Sequence, residues 1–198
     1  MSNFVVEGQR GAAALEALRP EWQALFSAPG APPFLSWEWL SAWQQSFGDN
    51  KTPRLLGVRA GGTLVGLLPL IEEEQDKMGF ATLRRPSFLG AGEGAADYLD
   101  VLAQPGSEYP STDAIFAYLA KADSVDLLAP DDLAGDSPSR PLLIRHCGEN
   151  TNSDFNCPGH ICPQIKIAGT WDEILKRKDA RAISGDGCAI CRSSSVAR

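Results

Sequence analysis

Positively charged side chains are in the minority in this sequence. Its 198 residues include 18 Lys and Arg against 25 Asp and Glu, which gives a formal net charge of −7. Binding to the backbone of a nucleic acid requires a clustered excess of Lys and Arg. The charge balance therefore argues against nucleic acid as a partner.

Long apolar runs are lacking as well. No stretch of the sequence approaches the roughly eighteen consecutive apolar residues that a membrane span requires. The first eight residues contain neither the basic region nor the continuous apolar region of a secretory signal. We therefore expect a soluble cytoplasmic protein with no membrane span.

Cysteine is missing until Cys147, and the last of the five cysteines is Cys191. An odd number of thiols at one end does not suit the disulfide framework of a secreted protein, so reduced thiols are expected. Four of the thiols could instead form a tetrahedral zinc site. These four are Cys157, Cys162, Cys188 and Cys191. A non-catalytic binding or scaffold module stabilised by zinc is therefore one functional hypothesis.

The strongest positive feature is an apolar stretch over residues 54–71, interrupted by Gly61 and Gly62. A two-residue hairpin turn needs a positive φ at both central residues, which glycine adopts without a Cβ clash. The apolar side chains of the second strand fall on two faces: Leu64, Leu68 and Leu70 on one, and Val65, Leu67 and Ile71 on the other. Both faces must be covered, which predicts an inner strand of a layered α/β domain. Because Pro69 has no N–H, it should lie at a bulge or where pairing ends.

Helical spacing predicts three helices before this hairpin. One ends at Leu18, the next opens at Pro20, and the third is capped by Ser36 and ended by Gly48. The apolar face of the third helix is predicted to contain Trp39, Leu40, Trp43 and Phe47. Aromatic residues at this spacing usually pack in a core, and the alternative is a platform on which a ligand stacks. Trp39 is the residue of this set that we name as a candidate for binding the substrate.

Further strands are predicted where short apolar runs lie between polar segments. The expected strands cover residues 4–7, 80–84, 97–102, 125–129, 142–146 and 161–167. A helix capped by Ser111 or Thr112 leads to the strand over 125–129 and completes a β-α-β crossover. Residues 90–95 match G-x-G-x-x-A, but no helix follows them at once, which favours a glycine-rich loop over a dinucleotide turn.

The regular pattern ends near residue 180. Thr170 and Glu173 form a predicted capping box that opens a basic helix. From residue 181 onward there is no apolar period, no cap and no turn. We expect a domain over residues 1–168, the start of a linker helix over 169–180, and a disordered tail over 181–198 that a shift of reading frame would explain. A stripe of Trp171, Ile174 and Leu175 left without its partner would favour self-association.

Several segments taken together resemble a known family. These are PEWQAL at 20–25, PFLSWEWLSAW at 33–43, GTLVGLLPL at 62–70, LRRPSFLG at 83–90, ADYLD at 96–100, CPQI at 162–165 and TWDEILK at 170–176. They are similar to the N-terminal half of CelD-like proteins. Those are acyltransferases of the GNAT superfamily that are associated with cellulose and other polysaccharide biosynthesis and related to FemAB-type enzymes.

The resemblance implies a GNAT-like mixed β-sheet flanked by helices. It also implies acyl transfer from acetyl-CoA to an amine or hydroxyl of a saccharide or envelope precursor. In such proteins the pocket for acetyl-CoA belongs to a second half that follows the basic helix. The superfamily's pyrophosphate signature is not met here, because Arg85 stands five positions before Gly90. We therefore expect that the acetyl-CoA site lies outside this chain and that the chain alone is inactive.

Three residues after the glycine-rich segment are the candidates for catalysis. One carboxylate, from Asp97 or Asp100, would serve as the general base for the acceptor, with Tyr98 as a proton donor. In the competing interpretation, backbone N–H groups satisfy these carboxylates in a purely structural role. Asp97 and Tyr98 are also predicted to bind the acceptor, together with Trp39.

The two histidines, His146 and His160, both stand near cysteines in the sequence. A lone histidine is usually a surface residue or a core residue with a satisfied ring. We expect one of these roles for both.

Overall fold

The structure is a computed structural model. It describes residues 4–28, 30–73, 76–78, 81–94, 96–121, 128, 130, 132–148, 170 and 173. The chain divides into two compact units, Met1–Gly159 and His160–Arg198, and nearly all described residues belong to the first. The predicted domain boundaries near residues 168 and 180, like the strand over 161–167, lie outside the described residues and stay predictions.

A β-sheet forms the centre of the first unit. Its strands are β1 (Phe4–Arg10), β2 (Lys51–Ala60), β3 (Thr63–Glu73), β6 (Ser87–Phe88) and β7 (Leu102–Ala103), while β4 (Asp76–Met78) and β5 (Ala81–Leu83) form a separate ribbon. The strand order is β1-β2-β3-β6, and β7 also pairs with β3. Every strand pair in the described part of the chain is antiparallel. Most of the predicted strand over 125–129, which would complete the crossover, lies outside the described residues.

Helices flank this sheet, as the predicted α/β class requires, and the class is confirmed. They are α1 (Ala12–Ala17), α2 (Arg19–Phe26), α3 (Trp37–Phe47), α4 (Glu108–Lys121) and α5 (Ser139–Gly148), with a short 3-10 helix at Pro33–Leu35. No helix among the described residues is both long enough and apolar enough to cross a membrane.

The hairpin predicted at the centre of the sequence is present. The turn between β2 and β3 is formed by Gly61 at φ +57° and Gly62 at φ +87°, and Ala60 faces Thr63 across it. Because β3 has β2 on one side and β6 and β7 on the other, it is an inner strand. All six apolar side chains named for its two faces are at most 6% exposed. The predicted inner strand is therefore confirmed.

One detail of the predicted alternation is wrong. The register of the hairpin shifts between Val58 and Arg59, which leaves an extra residue in β3 at Val65. Leu64 pairs with Arg59, whose guanidinium donates to Glu21 of α2, so Leu64 lies on the α2 side of the sheet. The bulge inverts the alternation on its N-terminal side, and Leu64 therefore does not share a face with Leu68.

Pro69 lies at an interruption in the pairing of β3. Its carbonyl accepts the N–H of Leu89 at 3.1 Å, so its backbone faces the side of the sheet that carries β6 and β7. On that side it stands between the short stretch of β3 that pairs with β7 and the one that pairs with β6. The register of β6 places Leu89 opposite Pro69, so the hydrogen bond that the proline cannot return falls where this pairing ends, as predicted.

The boundaries of the first three helices follow their capping residues. Pro20 lies in the first turn of α2, where its missing N–H is not needed. The Ser36 hydroxyl oxygen accepts the N–H of Trp39 at 3.3 Å and caps α3, which ends at Gly48. The predicted break at Pro20 and both ends of α3 are confirmed.

The later elements depart from the predictions. Helix α4 begins at Glu108, so Ser111 and Thr112 are buried inside it instead of capping it. Pro110 fits the first turn of α4, which lets the helix begin earlier than a cap at Ser111 would allow. Of residues 97–102, only Leu102 belongs to a strand.

The apolar run over 142–146 belongs to α5, not to a strand. A run this short has no periodicity that separates the two states. Pro141 stands in the first turn of α5, where a helix tolerates it.

Helix α4 approaches the sheet at a glycine. A Cβ on Gly66 would lie 2.6 Å from the Cβ of Ser111, a distance that real Cβ atoms do not reach. The absence of a side chain on β3 is therefore what allows α4 to pack this closely.

Arg59 joins three elements at the opposite face. Its Nη1 and Nη2 donate to the two carboxylate oxygens of Glu21 at 2.6 and 3.0 Å, and its Nε donates to Glu7 of β1 at 2.9 Å. The hydrogen bond from Arg59 lowers the pKa of the Glu21 carboxyl below its usual value, although partial burial opposes the shift. We call this set the Arg59 clasp.

Candidate functional site

The candidates Asp97, Tyr98 and Asp100 lie on one irregular loop, residues 96–101, between the glycine-rich segment and β7. Leu99, at the centre of this loop, is completely buried, whereas the three candidates are partly exposed. Because the loop is not a strand, the expectation that neighbouring side chains point to opposite faces does not apply here.

Asp100 binds groups of the chain itself through both carboxylate oxygens. Its Oδ1 accepts the N–H of Val101 at 2.7 Å, and its Oδ2 accepts the hydroxyl of Ser137. The Ser137 hydroxyl oxygen in turn accepts the N–H of Ser139, the first residue of α5, at 3.0 Å. Asp100 and Ser137, which we call the Asp100 clamp, thus tie the loop to the start of α5.

A second hydrogen bond holds the loop at the neighbouring residue. The N–H of Leu99 donates to the carbonyl of Asp132 at 3.2 Å. The backbone is left-handed at Tyr98, which precedes Leu99, with φ of +60°. It is also left-handed at Asp132, with φ of +66°. The conformation of the loop is therefore defined on both sides of Leu99.

Sequence reasoning did not identify Ser137. A serine two residues before a helix is a recognisable signal, since its hydroxyl can accept the N–H groups of the first turn. The predicted strand over residues 142–146 leaves no helix for Ser137 to open, so this signal does not point to Ser137.

Trp39 lies on the exposed side of α3, with 39% of its surface accessible. Its ring meets that of Phe34 edge to face, with centroids 5.1 Å apart. The predicted core face is wrong for Trp39 and for Phe47, which is 42% exposed, while Trp37 is buried in their place. Leu40 and Trp43 are buried as predicted.

Helix α3 and the candidate loop meet at Gly90. A Cβ on this residue, at φ +101°, would lie 2.7 Å from Leu40 of α3 and 3.7 Å from Leu99 of the loop. The glycine-rich segment is fastened to the same helix, because the Trp43 indole N–H donates to the carbonyl of Glu93. It connects two strands and no helix follows it, so the predicted glycine-rich loop is confirmed.

Two strand-to-helix turns lie among the described residues. The turn after β1 leads through Gly11 into α1, which has only six residues, and the turn after β7 leads into the longer helix α4. The Glu108 carboxylate, at the first position of α4, accepts the N–H of Gly106 at 2.7 Å. Pro110, the third residue of the helix, has no N–H. The N-terminus of α4, where a helix can bind an anion, therefore carries a negative side chain and lacks one backbone N–H donor.

The imidazole ring of His146 has a hydrogen-bond partner, as expected. Its Nε2 lies 2.7 Å from Oδ1 of Asp113, so α5 and α4 are joined by this pair. Arg145 lies near the same carboxylate oxygen, at 3.8 Å.

The predicted zinc ligands, Cys157, Cys162, Cys188 and Cys191, and also His160, lie outside the described residues. Within the described part of the chain, no three His, Cys, Asp or Glu side chains are grouped closely enough to hold a metal ion.

In the second unit the predicted capping box is confirmed. The N–H of Thr170 donates to the Glu173 carboxylate at 2.8 Å, and the N–H of Glu173 donates to the Thr170 hydroxyl oxygen at 3.4 Å. These reciprocal bonds satisfy two donors at the start of a helix. The stripe expected at Trp171, Ile174 and Leu175 lies outside the described residues.

The chain matches no protein-family model. No curated protein matches it either. Among solved structures, it is similar to the ribosomal-protein-alanine N-acetyltransferase of Brucella melitensis biovar Abortus 2308, with 14% identity and a TM-score of 0.41 over 81% of this chain and 99% of that one. The resemblance to the CelD-like family therefore stays a prediction from sequence.

Proposed function

We propose that this chain is the acceptor-side part of a GNAT-type acyltransferase and does not bind acetyl-CoA by itself. The complete reaction would move an acyl group from acetyl-CoA to an amine or hydroxyl of a saccharide. The segments that resemble CelD-like proteins support the reaction class. The turn before α4 supports the second part of the proposal.

The observation that carries the proposal is the carboxylate of Glu108. In the superfamily, a strand-to-helix turn receives the pyrophosphate through its free backbone N–H groups. At the turn between β7 and α4, Glu108 already binds the N–H of Gly106, and Pro110 offers no N–H. A negative side chain at this position repels a pyrophosphate, so the residues present do not fit the cofactor.

The exposed aromatic ring of Trp39 supports a saccharide as the acceptor. Its partner Phe34 meets it edge to face, which leaves part of the indole accessible to a ligand. An exposed indole offers a broad apolar surface beside a polar N–H, which suits a sugar ring with its C–H face and its hydroxyls.

The test measures acetyl-CoA binding by calorimetry and free CoA release with D-glucosamine as the acceptor. We expect no heat of binding and no CoA release from the 198-residue chain. The variant Glu108→Gln should gain measurable acetyl-CoA affinity, while Glu16→Gln, an exposed glutamate of α1, should not. Turnover by the unchanged chain would overturn the proposal, and zinc bound in equal molar amount would favour the binding module.

A further inference from the structure

Tyr98 differs from the other described residues that have a positive φ. Eight of those residues are glycines, and two are Asn50 and Asp132. Asparagine and aspartate tolerate the left-handed region because their short side chains bond to the nearby backbone. Tyr98, at φ +60°, is the bulky exception, because the left-handed region is sterically unfavourable for a large side chain.

The chain uses a suitable residue wherever else the described backbone turns left-handed. This includes the glycine-rich segment next to the loop, where Gly90, Gly92 and Gly94 all have positive φ. A strained residue persists only when its surroundings determine its conformation, and such residues cluster at functional sites. Tyr98 is therefore a candidate for a functional residue.

The surroundings of Tyr98 supply that constraint on its C-terminal side. The completely buried side chain of Leu99 and its hydrogen bond to Asp132 fix the next residue. The Asp100 clamp then fixes the residue after it, through the hydroxyl of Ser137. Since both oxygens of Asp100 already accept hydrogen bonds, its carboxylate is occupied in holding the loop.

We infer that Tyr98 contacts the acceptor and that Asp100 and Ser137 are positioning residues that hold its backbone in the left-handed conformation. The inference rests on the proposed function, because it assigns the acceptor surface of that function to residues 96–101. The phenol can exchange hydrogen bonds with the hydroxyls or the amine of a sugar, and the ring can cover its C–H face.

Thermal unfolding of Tyr98→Asn and Tyr98→Phe tests whether Tyr98 strains the backbone of the folded protein. Asparagine tolerates the left-handed region, so Tyr98→Asn should raise Tm by about 2–4 °C. Tyr98→Phe keeps both the ring and the strain, so it should not share this gain in Tm. A fall in Tm for Tyr98→Asn would show that packing of the ring explains the residue, which would overturn the inference.

Titration with D-glucosamine followed by NMR tests the contact itself. Tyr98→Phe should weaken binding about 5-fold, as expected for the loss of one hydrogen bond, and Tyr98→Asn should weaken it further. Equal affinity in all three proteins would overturn the contact. If the unchanged chain does not bind glucosamine, the saccharide acceptor of the proposed function fails, and the Tm comparison still decides the role of Tyr98.

The positioning role is tested at Ser137. In Ser137→Ala the coupling between the amide and α protons of Tyr98, which depends on φ, should change, and glucosamine should bind about 5-fold more weakly. Ser137→Thr keeps the hydroxyl and should restore both values. An unchanged coupling in Ser137→Ala would show that the clamp does not hold Tyr98.

Discussion

The hairpin β2–β3 and the loop over residues 96–101 keep their backbones in place by different means. In the hairpin, glycines occupy the two left-handed positions, and buried apolar side chains cover both faces of the strands. In the loop, a tyrosine occupies a left-handed position. The chain there is held by a hydrogen bond from the Leu99 N–H to the Asp132 carbonyl and by one from the Ser137 hydroxyl to Asp100. The hairpin therefore has suitable residues at its left-handed positions, whereas the loop contains a strained one, a feature that clusters at functional sites.

The largest difference between the two regions should appear when an apolar side chain is truncated. Leu67 of β3 is completely buried, so Leu67→Ala should lower the free energy of unfolding by about 2–5 kcal/mol. Leu133, beside the loop, is only partly buried, and Leu133→Ala should cost distinctly less. Urea unfolding followed by tryptophan fluorescence measures both. Equal losses would contradict the contrast between an apolar core and a hydrogen-bonded loop.

The next effect concerns the Asp100 clamp. Asp100→Ala removes the acceptor of the Val101 N–H and of the Ser137 hydroxyl and should cost about 1–3 kcal/mol. Asp136→Ala, at an exposed position close to Ser137, is the control and should change stability by less than about 0.5 kcal/mol. Hydrogen exchange of the Val101 amide should become faster only in the first variant. If its protection is the same in both, the clamp does not hold the loop.

The hairpin turn should tolerate a side chain poorly. Gly61→Ala places a Cβ at φ +57° and should cost about 1–2 kcal/mol. Gly135→Ala is a matched control, because a Cβ there meets no atom within 4 Å and the backbone is not left-handed. That substitution should be neutral or stabilise by up to about 1 kcal/mol, through the unfolded chain. Thermal melts of both variants give the comparison, and equal Tm values would rule out strain at the turn.

Features that depend on local residue preferences are predictable from the sequence, whereas features that depend on contacts between distant residues are not. Local preferences of glycine, proline and capping serine determine the hairpin, the break at Pro20 and the ends of α3. These preferences can be recognised from the sequence alone. The bulge at Val65 and the burial of Trp37 in place of Trp39 depend on packing between distant elements, for which the sequence has no local sign.

The candidate site was predictable only in part. Asp97, Tyr98 and Asp100 were found from their place after the glycine-rich segment. Ser137 was missed, because the clamp joins residues 37 positions apart in sequence. The left-handed backbone of Tyr98 could not be predicted either, since nothing in the residue type favours it.

The smallest expected effect concerns the Arg59 clasp, where a charged pair on the surface supports the hairpin. The Glu21 side chain is 42% exposed, so its pair with Arg59 should contribute only about 0.2–1 kcal/mol. Because the pKa of Glu21 is lower in the folded protein than in the unfolded chain, this contribution is present above the unfolded pKa and is lost as pH falls through the folded one. Unfolding free energies measured between pH 7 and pH 3 should therefore decline less in Glu21→Gln than in the unchanged protein, while Glu16→Gln should follow the unchanged protein. Parallel declines in all three would mean that the clasp orients α2 without stabilising it, and that the core of the hairpin holds the region together without help from charge.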